Sequence, residues 1–231
     1  VAAQAEDFET AAKITHQIEI ITSVTSSSYR LSPDMILPTF QLGQAEVALL
    51  QLKKLIADRI TIPKTLQLNR IEGYDVSNNQ GEAADVSMVT FSNGRADKSE
   101  YRLFNIKTIA TPNDYQMMRE AITRRQQHQE WPQPDLVIID GGKGQLKAAF
   151  TSWLQNRPLI ISIAKDPDRI IVPVVVNGKI TDYHIVALPA DHPALKLVQQ
   201  VRDESHRFAK KQHHSLLWRS KISTPPQSVV F

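Results

Sequence analysis

A short apolar run that ends in a carboxylate and runs into glycines, Leu136-Val-Ile-Ile-Asp140-Gly-Gly-Lys-Gly144, is the stretch of this chain best suited to chemistry. Four branched residues in a row fit a strand covered on both faces of a sheet. Asp140 then stands at the carboxyl end of an interior strand, where α/β folds gather their ligands. A charge there is unfavourable unless something pairs it, and a cation would do so. Gly141, Gly142 and Gly144 remove side chains from the turn, so backbone N–H groups and Lys143 can approach a phosphate. The plainer reading is a strand-to-helix turn that needs glycine, with Asp140 capping the helix, and on these residues alone both readings stand. No Lys-Ser or Lys-Thr pair ends the loop, which excludes a nucleotide-binding P-loop.

A second carboxylate, Asp75, lies near the end of a strand pattern that leads through Leu66, Leu68 and Ile71 into Tyr74-Asp75-Val76-Ser77. Two carboxylates on neighbouring strand ends make a hard oxygen site suited to Mg²⁺ or Mn²⁺. Such a site can turn bound water into a nucleophile and stabilise charge on a phosphoryl group during in-line displacement. The third candidate is His206, whose helical spacing returns to the face of Leu195 and Val198. A lone histidine on such a face is commonly a core residue, but Arg202, Asp203, Glu204 and Arg207 around it weigh against a purely structural role. Glu82 and Asp85 follow Asp75 closely enough to be a further ligand or a surface charge. Lys143, Lys165, Arg102 and Lys107 are candidates for phosphate contact, as are Arg124 and Arg125 on one helical segment and Arg207 in a basic C-terminal stretch. The chain has Cys 0, so disulfides and thiolate metal sites are excluded and any metal must sit on Asp, Glu or His.

The elements needed to position these groups follow from periodicity. Glu6 to Ile21 place Phe8, Ala11, Ala12 and Ile18 at helical spacing, and the Thr/Ser-rich run to Ser28 reads as a linker. A second helix is expected over Gln44 to Ala57, burying Ala45, Ala48, Leu49, Leu52, Leu55 and Ile56, with Pro63 closing the region. The chain thus divides into residues 1–28, a helical connecting segment 29–63, a main domain 64–219 and a tail 220–231. In the main domain, strands near Tyr74, over Asp85 to Phe91 and over Tyr101 to Ile106 form a meander through the Ser92-Asn93-Gly94 turn. A helix capped by Asn113 or Asp114 comes next, then the central strand and a helix from Gln145 to about Leu154. A strand over Leu159 to Ala164, a hairpin across Asn177-Gly178 and a last helix from Pro193 complete the pattern. A three-strand meander followed by alternating helix and strand is the ribonuclease H-like arrangement, an α/β mixed sheet flanked by helices. Its first and fourth strands lie side by side, so Asp75 and Asp140 are expected to face each other.

Several segments also carry a specific resemblance. Glu72-Gly-Tyr-Asp-Val-Ser-Asn-Asn-Gln-Gly-Glu82, Tyr101-Arg-Leu-Phe-Asn-Ile-Lys107, Asn113-Asp-Tyr115 with Arg124-Arg125, Ile139-Asp-Gly-Gly-Lys-Gly-Gln145 and Arg202-Asp-Glu-Ser-His-Arg-Phe-Ala209 resemble the successive motifs of the C-terminal nuclease region of the UvrC family, a component of the UvrABC excinuclease. Glu6-Asp-Phe-Glu-Thr-Ala-Ala-Lys-Ile14 is similar to the UVR motif through which that family engages UvrB. The resemblance implies a ribonuclease H-like endonuclease, related in fold to endonuclease V, that makes the 5′ incision at a DNA lesion in nucleotide excision repair. It implies damaged double-stranded DNA as substrate, UvrB as direct partner and UvrA as an indirect one. The family's Asp-Asp-His site falls on Asp75, Asp140 and His206. Both aspartates would ligate the metal, and His206 would ligate it or position water and the scissile phosphate. Glu82 matches a motif glutamate to which no role is assigned.

A non-catalytic module that holds UvrB or DNA is the competing class of function, and retention of all three site residues speaks against it. An independent endonuclease V-like enzyme fits the fold but not these motifs. No apolar run reaches membrane-spanning length and no signal peptide is recognisable, so a cytoplasmic setting without membrane contact is expected. The chain opens on Val1, as a piece of a longer protein would. No GIY-YIG nuclease segment precedes the UVR-like helix, so 3′ incision is not expected of this chain. Nor does the tail resemble the helix-hairpin-helix region that grips DNA in the family.

Overall fold

The structure is a computed structural model that describes residues 38–77, 84–106 and 113–222, with side chains over 43–77, 84–106 and 113–211. The expected helix with Phe8, Ala11, Ala12 and Ile18 lies outside the described residues, as do Glu82, Lys107 and the tail beyond Ile222. The chain forms two compact units, Val1–Leu42 and Gly43–Phe231. Only the backbone of 38–42 is described in the first, so the account below is of the second.

One mixed sheet organises this unit. Strand β1 (Arg70–Ser77) pairs antiparallel with β2 (Asp85–Ser92), whose other edge is shared by the two-residue β3 (Arg95–Ala96) and by β4 (Arg102–Asn105). On its far side β1 runs parallel to β5 (Leu136–Asp140), which runs parallel to β6 (Leu159–Ala164). Strands β7 (Arg169–Val176) and β8 (Lys179–Ala187) then extend the sheet antiparallel, giving the order β3-β2-β1-β5-β6-β7-β8 with β4 beside β2. The expected meander and the adjacency of its first strand to the central strand are both present. Two tight turns match their residues: Asn93-Gly94 (φ 51° and 75°) and Asn177-Gly178 (φ 51° and 73°) put both central positions in the left-handed region that primed hairpin turns require.

Period-two alternation sorts each strand onto two cores. Ile71 of β1, Leu136 and Ile138 of β5 and Ile161 and Ile163 of β6 pack with Leu52, Leu55 and Ile56 of helix α1 (Pro38–Ala57) and with Leu195, Val198 and Val201 of the last helix. Tyr74, Val137, Ile139 and Ile160 face the other way. They pack with Met117, Met118, Ala121 and Ile122 of α2 (Asp114–Gln127) and with Leu146 and Ala149 of α3 (Lys143–Ser152). Each such aliphatic side chain, withdrawn fully from water, contributes about 1.5–3 kcal/mol. Because both faces are covered, the uninterrupted apolar run 136–139 is what the central strand needs.

Helix boundaries follow local chemistry. Asn113 caps α2, its side-chain oxygen accepting from the N–H groups of Tyr115 and Gln116 at 3.1 and 3.2 Å. Helix α3 has Gly142 at its N-cap and no side-chain cap, so Asp140 does not cap it and the plainer reading of that carboxylate fails. Helix α4 (Pro193–Ile222) opens on proline and is 30 residues long.

Candidate metal centre

Strand alternation that places Ile71 against α4 also places Gly73 and Asp75 on that face of β1, and Leu136, Ile138 and Asp140 on the same face of β5. The parallel register pairs Tyr74 with Ile139, so the two aspartates stand level on adjacent strands. Helix α4 supplies the third group, and two features hold it close. A Cβ on Gly73 would lie 2.3 Å from Val201 Cγ1; only glycine lets the helix rest on β1 here. Ser87, opposite Asp75 in the β1–β2 register, donates its buried hydroxyl to the Ser205 carbonyl at 3.1 Å. These anchors set His206 over the strand ends.

The result is a convergence of donor atoms. His206 Nδ1 lies 2.9 Å from Asp75 Oδ2 and 3.1 Å from Asp140 Oδ2. All three residues offer ligand atoms within 4.8 Å of one another. The separations are those of hydrogen bonds but the directions are not, and Asp140 Oδ2 and His206 Nδ1 are buried without a hydrogen-bond partner. Buried polar atoms left in this way are rare and ask for an explanation. A hard cation between two carboxylates and an imidazole meets the need, and the donor set fits Mg²⁺ or Mn²⁺.

Electrostatics agree with the geometry. Burial first, and then the neighbouring charge of Asp140, push the Asp75 carboxyl up to about 7, with Lys165 acting the other way. His206 is shifted down, chiefly by burial and by Lys165, against the pull of Asp140. That direction favours the neutral imidazole, the form with a lone pair to give a metal. Lys165 stands with its Nζ 3.3 Å from Asp140 Oδ2.

The glycine turn beside Asp140 serves packing at two of its three positions. A Cβ on Gly141, at φ 155°, would fall 1.7 Å from Gln145 Oε1, and one on Gly144 would fall 2.5 Å from the Tyr115 ring. Gly142 faces open space, and Lys143 beside it is exposed with its ammonium 5.1 Å from the Tyr183 ring centre.

The expected phosphate-binding arginines fare differently. Arg125 is a correction: it is fully buried, its Nη2 2.9 Å from Glu72 Oε1 and its Nε 3.1 Å from Glu72 Oε2, and it also donates to the Pro132 carbonyl at 2.6 Å. Tyr74 and Arg70 complete the bonds to Glu72, so Arg125 holds a core together and is closed to DNA. Arg124, although adjacent in sequence, points elsewhere, donating to the Asn105 carbonyl at 2.7 Å and lying over Phe104. Arg102 lies on β4, two strands from Asp75, over the Trp131 ring and bonded to the Ser99 and Tyr101 carbonyls. Arg207 follows His206 and is half exposed, held by two 2.6 Å bonds to Glu204. Sequence reading passed over Gly73 and Ser87. A glycine within a strand pattern and a serine within an apolar strand are the signals that mark them.

Residues 59–209 match the family model described as the UvrC RNAse H endonuclease domain. The UvrABC system protein C of Dictyoglomus thermophilum is 47% identical over 151 residues, covering 63% of this chain and 24% of that protein. The same-named protein of Methanococcoides burtonii is 43% identical over 192 residues, covering 79% of this chain and 30% of that one. The chain thus spans about a quarter to a third of the length of these relatives. Among solved structures, Ciona intestinalis endonuclease V in complex with an inosine-containing DNA aligns over 79% of this chain and 99% of that chain, at 12% identity and a TM-score of 0.44. Among the described residues no helix is long and apolar enough to cross a membrane. On the extent of the model match and the identity to these relatives, the chain belongs to the UvrC RNase H endonuclease domain family.

Proposed function

We propose that this domain is a metal-dependent DNA endonuclease that makes the 5′ incision in UvrABC nucleotide excision repair. The observation that carries the reading is the convergence of Asp75 Oδ2, Asp140 Oδ2 and His206 Nδ1, with two of those atoms, Asp140 Oδ2 and His206 Nδ1, buried and without a hydrogen bond. Asp75 and Asp140 would hold Mg²⁺ or Mn²⁺, which as a Lewis acid polarises a phosphoryl oxygen and acidifies water. His206 would lend Nδ1 as the third donor. The remaining work falls to the protein: β1 and β5 fix the two carboxylates level, and Gly73 and Ser87 fix the helix that carries His206. A site assembled on rigid strands and a packed helix keeps attacking water and phosphodiester in line.

The substrate is damaged double-stranded DNA, and the UVR-like segment within residues 1–28 engages UvrB, with UvrA acting upstream. Residues 64–219 carry the chemistry and 29–63 connect it to that segment, in a cytoplasmic protein. The test is incision of a lesion-containing duplex, already nicked on the 3′ side, by UvrA and UvrB with Mg²⁺ or Mn²⁺ and this chain. Metal-dependent 5′ cutting that the Asp140→Ala variant lacks is the expected result. A folded chain that binds UvrB and never cuts would make it an interaction module.

A further inference from the structure

Beside the metal centre lies a cleft of about 610 Å³, its lining including Lys165 and Asp168 beyond β6 and Arg202, His206, Arg207 and Lys210 of α4. Both arginines in it are already engaged. Arg202 bonds Asp168 at 2.6 Å and Asp203 at 2.8 Å, and Arg207 bonds Glu204. Two ammonium groups remain for a polyanion, Lys165 and Lys210. Lys210 is one helical turn from His206 and makes no ion pair with the described residues. Lys165 is half exposed and its one ion pair among them is with Asp140 Oδ2, at 3.3 Å.

Metal loading would weaken that pair. A divalent cation drawn to Asp140 Oδ2 and the ammonium of Lys165 would be like charges a few ångströms apart, which favours the departure of one of them. Lys165 is the mobile one: it sits just beyond the end of β6 on a flexible stem with half its surface in water. The space open to it is the cleft, where a phosphodiester brought to the metal would carry its negative oxygens. On the metal-dependent reading of the site above, we propose that Lys165 has two successive roles. It is the counter-ion of Asp140 in the metal-free protein, and it becomes the ligand of the substrate phosphate once metal displaces it.

The two roles pull in opposite directions, which makes them testable together. In the Lys165→Met chain, Mn²⁺ titrated alone in a calorimeter should bind about tenfold more tightly than in the parent, because a competing cation is gone. In the incision assay above, the same variant should cut about a hundredfold more slowly, because a charge-assisted contact to the phosphate is lost. Lys165→Arg, which keeps the charge, should return Mn²⁺ affinity to the parent value and recover part of the rate. Slower cutting with unchanged or weaker Mn²⁺ binding would overturn the counter-ion role. Tighter binding with unchanged cutting would overturn the phosphate role. Asp140→Asn, run in parallel, separates this inference from its basis: if that variant still binds Mn²⁺ and cuts, the metal-centre reading falls and the inference falls with it.

Discussion

Replacing Asp75 by asparagine should stabilise the metal-free protein at neutral pH while abolishing its chemistry. In the folded state, burial and the charge of Asp140 hold the Asp75 carboxyl at about 7, against 3.8 for an unperturbed aspartate. Each unit corresponds to about 1.36 kcal/mol, so the shift amounts to about 4 kcal/mol as an upper bound. Coupling to Asp140 and relief from Lys165 reduce the realised effect to about 1–3 kcal/mol. The sign follows from linkage. A folded-state value above the unfolded one means that the native protein holds the extra proton, so this contribution is full below pH 4 and is lost as the pH rises through 7. Asparagine has no proton to lose. Thermal melts in EDTA should therefore show parent and Asp75→Asn nearly equal near pH 4, with the variant ahead by about 2–4 °C per kcal/mol at pH 8. Added Mn²⁺ should raise the melting temperature of the parent and leave the variant unmoved. A difference independent of pH, or a variant less stable than the parent at pH 8, would refute the claim that the carboxylates repel each other in a dry site.

Three other perturbations probe the supports of the centre. Arg125→Ala takes the buried guanidinium from Glu72, leaving that carboxylate only Arg70 and Tyr74, and should cost about 2–4 kcal/mol in urea unfolding; a loss below about 1 kcal/mol would contradict the buried pair. Gly73→Ala drives a Cβ into Val201 and should lower stability by about 1–3 kcal/mol and slow incision, while the added Val201→Ala change should recover both; no recovery would mean that this contact does not set the height of α4. His206→Ala should lower turnover far more than DNA affinity, measured by single-turnover incision and by equilibrium binding, and a loss confined to binding would remove it from the centre.

Much of the fold was legible because its signals are local. A branched apolar run announces a doubly covered strand, Asn-Gly pairs announce their hairpins, and Asn113 announces a helix start. The pairing of Asp75 with Asp140 was legible at one remove, since each carboxylate stands at or near the end of a strand and the order of elements sets those strands side by side. Arg125 shows where such reading stops. Arg124 and Arg125 are equivalent in composition, yet a turn of about 100° along the helix puts one over Phe104 and the other in the core with Glu72. Sequence records charge but not which partner waits across the sheet. Lys165 was one of several candidate phosphate contacts, and only its place next to Asp140 separates it from Arg102, which lies over Trp131. Gly73 and Ser87 act through contacts with α4, more than a hundred residues away in sequence, and such contacts leave only a faint local mark.

The most direct test of the metal centre is anomalous scattering from crystals of the chain grown or soaked with Mn²⁺. A peak bounded by Asp75 Oδ2, Asp140 Oδ2 and His206 Nδ1, absent in the Asp140→Asn variant, is the predicted result. Mn²⁺ bound elsewhere on the chain while this position stays empty would contradict the account.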